Sequence, residues 1–205
     1  MPSLVARGWT ALVVEYRRVG NGGGYPATLE DVASAIDLLA DLVLDGDHLV
    51  VIGHSAGGQL AAWLATRQAR PDGVPGARPR VVPTAVVAQA GVLDLRAAAR
   101  DRLGSDAVVG FLGGGPAERP DAYAVADPTA ALPLGVPVLC VHGTGDDVVP
   151  LSQSSDFARR AREAGDAVDV AEVEGDHFAV IDPDGPAWAA TLAWLDALAP
   201  GTVRR

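Results

Sequence analysis

A single cysteine, Cys140, occurs in the 205 residues, which excludes an internal disulfide and leaves no thiolate cluster for zinc. It lies in the apolar run "GVPVLCV" and reads as a small buried hydrophobe. Long apolar runs are missing too: "TALVVEY" and "GVPVLCV" are far too short to cross a bilayer, so no membrane partner is expected. Positive charge is scarce and scattered, with 16 Lys and Arg against 26 Asp and Glu, a formal charge of −10 and a pI near 4.7. Nucleic-acid affinity is built from clustered Lys and Arg, so no nucleic-acid partner is expected either. The opening "MPSLVARGWTALVVEYRR" has no charged leader and no small-residue cleavage site, which makes a cytoplasmic location the expectation.

Hydrophobic residues at 49% and charged residues at 20% match a soluble globular chain, and the length suits one domain over residues 1–205. Short Val- and Ile-rich runs alternate with Ala/Leu stretches of helical period, the pattern of a parallel sheet flanked by helices, an α/β fold. Strands are expected over residues 10–16, 49–53, 84–90, 136–142 and 169–173, most of them buried on both faces. A helix is expected from near Thr28, with Asp31 as capping partner and Val32, Ile36, Leu39 and Val43 on one face, ending before Gly46. Further helices are expected over residues 56–69, 152–164 with Gly165 as the stop, and 186–198. Residues 95–133, containing "GFLGGGPAERPD", break the rhythm and read as a short cap-like insertion placed to shape a pocket.

Chemistry centres on "VVIGHSAGGQL", where Ser55 sits in a G-x-S-x-G pattern between a strand and a helix. A serine hydroxyl becomes a nucleophile only with a base in reach and a third group that orients the base. Of four histidines, His48 reads as solvated surface and His142 as a turn residue at a strand end. His54 flanks the serine and is expected to point away from it, since neighbours around a tight turn diverge. His177, on a glycine-containing loop after the fifth expected strand, is the best base by position. Asp146 and Asp147 follow the fourth expected strand at the same edge, and either could orient it. The order Ser, Asp, His is that of nucleophile-elbow enzymes. Gly53 and Gly57 are expected to relieve crowding at the elbow, with Gly58 aiding the packing, and the Ala56 N–H can donate to an oxyanion.

These stretches, with "EYRRVGNGGGYPATLEDV", "GHSAGG", "VHGTGDDVVP" and "GDHFAVIDP", resemble the α/β-hydrolase fold over nearly the whole chain. Within it they resemble the kynurenine-formamidase-like and esterase-like members. The resemblance implies a triad of Ser55, Asp146 and His177, because the family's acid lies four residues after the histidine of an H-G-x-x-D-x-x-V-P stretch; Asp147 is the second choice. It implies hydrolysis of esters or small amides, including aryl formamides, through an acyl-enzyme. A dienelactone-hydrolase reading would ask for cysteine where Ser55 stands. No cofactor or metal is expected: "VGNGGGYP" lacks the spacing of a P-loop or dinucleotide site, and "DGD" at 45–47 and "DPDG" at 182–185 read as turns.

An H-G-G segment, which in the resembled family supplies the second oxyanion donor, is absent. The family strand that carries it lies between those matching residues 10–16 and 49–53, so its loss would leave a gap inside the sheet and only Ala56 as oxyanion donor. Three explanations fit: a natural protein that starts earlier, a degenerate chain with the sheet closed up, or a second polypeptide that fills the layer. The rival to a hydrolase is therefore a weak or inactive α/β-hydrolase-like binding domain.

Overall fold

The computed structural model describes residues 2–42 and 48–198. Val43, the helix end before Gly46 and the turn at 45–47 lie outside the described residues. Four Val- and Ala-rich runs form strands β1 (Val50–His54), β2 (Ala85–Gln89), β3 (Val138–Gly143) and β4 (Val168–Val173). They pair in the order β1-β2-β3-β4, all parallel, with Gly53 opposite Ala88 and Val141 opposite Ala171. The helices are α1 (Pro2–Val5), α2 (Ala27–Asp37), α3 (Ala56–Thr66), α4 (Leu95–Arg100), α5 (Leu103–Leu112), α6 (Pro120–Ala126), α7 (Ser152–Glu163) and α8 (Pro186–Leu198).

Side-chain alternation along the strands sorts the helices onto two faces. Val86, Ala88, Val138 and Cys140 point to one face, where Ala61, Ala62 and Ala65 of α3 and Phe157, Ala158 and Ala161 of α7 cover them. Val87, Leu139 and Val141 point to the other, with Val180 and Ala187 against them. Beside these, Trp188, Leu192 and Leu195 of α8 pack with Leu4 over Val50 and Ile52. A third layer lies outside α3, where α2, α4, α5 and α6 bury Leu29, Ile36, Leu95, Leu112 and Tyr123 against Trp63. Residues 95–133 belong to this layer, anchored by Gln59 to the Ala126 carbonyl at 2.8 Å and by Trp63 Nε1 to the Val125 carbonyl at 2.9 Å.

Two local expectations fail. Residues 10–16 form no strand, and Leu12 and Val13 are 59% and 73% exposed. A strand exists through its ladder, and among the described residues the sheet stops at β1, which is half-buried along its whole length while β2 and β3 are fully buried. The extended segment keeps only Val14 and Tyr16 against the core. At α2, Asp31 does not cap the helix, because Arg17 claims its carboxylate through three hydrogen bonds at 2.7–2.9 Å. Pro26 occupies the cap position and offers no side-chain acceptor.

One buried ion pair ties the third layer to α3. Arg67, 1% exposed, donates to Asp37 at 2.6 and 3.2 Å and to the Gly76 carbonyl at 2.8 Å, and Asp37 also accepts the Arg80 and Val81 amides. Burial pushes the Asp37 carboxyl up, but the Arg67 hydrogen bond and charge and the two amides outweigh it, leaving it below its ordinary value. A depressed carboxyl stabilises the fold above its unfolded pKa, and that contribution is lost as pH falls through the folded value. Asp37→Ala strands a buried guanidinium and is expected to cost about 3 kcal/mol in urea unfolding at neutral pH, with the gap from the parent chain shrinking in acid.

Candidate active site

A parallel sheet gathers the carboxyl ends of all its strands at one edge. Ser55 follows β1, Asp146 follows β3 and His177 follows β4, so the sheet brings the three sequence-predicted residues to that edge. Ser55 occupies a positive-φ backbone conformation, φ 56° and ψ −118°, between β1 and α3. For a non-glycine residue this is a strained position. It is held by the Ser55 amide on the Gln89 carbonyl at 2.8 Å and by the Gly58 and Gln59 amides on the Ser55 carbonyl. Crowding falls on Gly53, where a Cβ would lie 2.0 Å from the Gly57 carbonyl oxygen, and on Gly58, 2.8 Å from Gly91 Cα; Gly57, expected to be crowded, faces open space. The Ala56 N–H, in the first turn of α3, finds no backbone acceptor among the described residues, as befits one of a helix's orphan donors.

Asp146 is the most constrained group at this edge. Its side chain has no solvent exposure. One oxygen accepts the Val148 and Val149 amides at 2.9 and 2.8 Å, and the other accepts His177 Nδ1 at 2.7 Å. Burial pushes the carboxyl up, yet the Val149 amide, His177 and the Val148 amide together hold it below its ordinary value. A carboxylate only accepts, so Nδ1 of His177 carries the proton and Nε2 of the neutral ring is left as an acceptor. Asp147, the alternative acid, is exposed.

His142 is buried beside them. Its Nε2–H donates to the Val149 carbonyl at 2.9 Å and lies 3.3 Å from Asp146, while Nδ1 accepts from Ser154 at 2.8 Å. The Cys140 thiol, pushed up to about 12 by burial, sits behind Ser154. His48 is exposed. Among the described residues Ser55 Oγ makes no hydrogen bond to His177, and no group of histidine, cysteine and acidic side chains could hold a metal.

Two residues at this edge escaped the sequence reading. His54 has a partner that the sequence did not suggest: Nε2 donates to the His177 carbonyl at 2.9 Å, and the two rings lie 4.5 Å apart. Gly143 lets the loops after β3 and β4 meet, since a Cβ there would fall 2.5 Å from the Gly175 oxygen and 2.6 Å from that of Asp176. The glycine after a strand-end histidine in "VHGTGDD" was the available signal for it; His54 had none in the local sequence.

A parallel sheet with helices on both faces and a strained serine at a strand end is the α/β-hydrolase fold. It is shared with a truncated carbohydrate esterase from gut microbiota, at 21% identity and a TM-score of 0.67 over 85% of this chain and 69% of that one. The esterase Est2 from Thermogutta terrifontis, with butyrate bound, matches at 25% identity and 0.67 over 90% of this chain and 69% of that one. The same esterase phosphoramylated by tabun matches at 24% and 0.68 over 96% and 74%. No curated protein sequence matches the chain. The BD-FAE family model matches residues 1–160, and the chain belongs to that family.

Backbone oxygens cannot step aside for an added methyl. Gly143→Ala is expected to cost about 2 kcal/mol in denaturant unfolding, and to pull the Asp146 and His177 loops apart. An upfield movement of the His177 Nδ1 proton resonance would report the lengthened hydrogen bond.

Proposed function

We propose that the protein is a serine hydrolase that cleaves carboxylic esters through an acyl-enzyme on Ser55. The observation that carries this is the 2.7 Å hydrogen bond from His177 Nδ1 to the unexposed Asp146 carboxylate, at the sheet edge where Ser55 holds its strained, positive-φ turn. In the proposed cycle His177 Nε2 takes the hydroxyl proton as Ser55 Oγ attacks the ester carbonyl, and Asp146 orients the ring and stabilises its charged form. The Ala56 N–H donates to the oxyanion of the tetrahedral intermediate. Collapse releases the alcohol with the proton from His177, and water then attacks the acyl-serine by the same route. Small acyl groups are favoured as substrates, in keeping with the butyrate held by the Thermogutta esterase; small amides and aryl formamides follow from the sequence resemblance. Residues 95–133 are assigned a cap-like role on one wall of the substrate site.

A second reading, a weak or inactive binding domain, is favoured by one observation. Next to the elbow, β1 has no strand on its outer side among the described residues, and Ala56 is the one oxyanion donor that we assign. Loss of a single donor typically costs about 100- to 1,000-fold in turnover, so slow hydrolysis is expected even where the triad is sound.

Ser55→Ala is expected to abolish hydrolysis of p-nitrophenyl butyrate, and Asp146→Asn to lower kcat by about 1,000-fold or more because the ring loses its tautomer. An organophosphonate probe should label the parent chain once and leave Ser55→Ala untouched. Unchanged hydrolysis by the Ser55→Ala protein would overturn the proposal, and a parent chain that neither hydrolyses nor labels would leave the binding-domain reading.

A further inference from the structure

The path of the β4 loop raises a mechanical problem. In the sheet order β1 and β4 are the two outer strands, yet the ring of His177, four residues past the end of β4, lies 4.5 Å from that of His54 at the end of β1. The loop after β4 bends back over the sheet edge, where Asp176 still lies against Gly143 of β3, and the His54 side chain reaches from β1 to meet it. The loop is held by hydrogen bonds to each of the other strands. At β3 the Thr144 amide meets the Val173 carbonyl at 2.8 Å and the Gly145 amide meets that of Gly175 at 2.9 Å. At β2 the Gln89 side chain meets the Val180 carbonyl at 2.7 Å. At β1 the pin is His54 Nε2 on the His177 carbonyl at 2.9 Å, the one hydrogen bond this carbonyl accepts among the described residues.

We propose that His54 is a positioning residue: its imidazole, reaching from the end of β1 and donating from Nε2, fixes the backbone of His177 and so sets where the His177 ring stands relative to Ser55. The inference rests on the serine-hydrolase reading above for its kinetic consequence, and on geometry alone for the anchor.

The chemistry requires a donor that carries no charge. A carbonyl only accepts, so the proton of His54 sits on Nε2. His177 must become cationic while it holds the serine proton, and a second cation stacked on it would oppose that step. The titratable groups facing His54 are His177 and Asp146, and burial, the largest influence, pulls His54 below the ordinary histidine value. Phe178, with its ring 5.9 Å from His54 and 5.4 Å from His177, covers the pair on a third side. An imidazole thus supplies a long-reaching N–H donor that is flat enough to stack and stays neutral.

The test compares His54→Leu, which keeps the bulk and removes the donor, with His54→Gln, which restores an N–H at similar reach without a titrating ring. His54→Leu is expected to lower kcat for p-nitrophenyl butyrate about 10- to 100-fold, the scale of a misplacement near 1 Å, with KM within about twofold. His54→Gln is expected to recover most of that loss. Should His54→Leu fail to fold, His54→Ser, too short to reach the carbonyl, takes its place. Equal kcat in parent and His54→Leu, or a His54→Gln protein as poor as His54→Leu, would overturn the proposal. If the parent chain proves inactive, which would sink the hydrolase reading separately, 15N NMR of the His177 ring decides. A single Nδ1–H tautomer in the parent and His54→Gln, but mixed tautomers in His54→Leu, supports the anchor; an unchanged ring in His54→Leu overturns it.

Discussion

Everything at the carboxyl edge of the sheet hangs on the Asp146 carboxylate. It lies out of solvent, so each of its oxygens must be satisfied by protein donors or cost several kcal/mol. Two amides of its own loop and the His177 ring do so. The same bonds that make burial tolerable keep the group ionised, fix the tautomer of His177 and tie the loop after β3 to the loop after β4. His142 closes the carboxylate from below through its contact at 3.3 Å and its own bond to the Val149 carbonyl. A change to any one of these partners therefore acts on orientation and stability together.

The other half of the site is less well enclosed. Ser55 and Ala56 stand at the end of β1, which pairs with β2 on one side and has no strand on the other among the described residues. Apolar side chains gather near this region, with Val148, Phe178 and Ile181 all more than 40% exposed on the loops that carry Asp146 and His177. On the proposed hydrolase reading, the acid and base are then buried while the serine side is open, an arrangement that gives loose selection of the acyl group, since specificity comes from enclosure and convergent polar groups.

Strands β2 and β3 were legible because buried parallel strands have no polar face to disguise them, and β1 and β4 because short Val-rich runs mark them. The runs ending at Gly53, Ala90, His142 and Val173 each fall within a residue or two of an observed strand end. The helix from Ser152 stops where Gly165 takes a φ of +104°. Residues 10–16 have the same apolar composition and yet form no strand, because a ladder needs a neighbour and no local pattern reports whether one exists. The site divides in the same way. That Ser55, Asp146 and His177 would stand at one sheet edge was readable from motif and strand-end position, and Gly53 from the elbow's steric demand. His54 was not, since its partner lies 123 residues away and is brought to it by a loop that bends back over the sheet edge. Asp31 failed for a related reason: its spacing suited a cap, and a distant arginine outcompeted the helix for it.

The central claim is that Ser55 becomes covalently acylated with His177 as its base. Rapid quenching of the chain with excess p-nitrophenyl butyrate, followed by peptide mass analysis, tests it most directly. The prediction is a butyryl group on the peptide containing Ser55, accumulating in the first turnover and absent from a His177→Ala protein. Ester cleavage with no acyl group on that peptide, or equal acylation without His177, would contradict it.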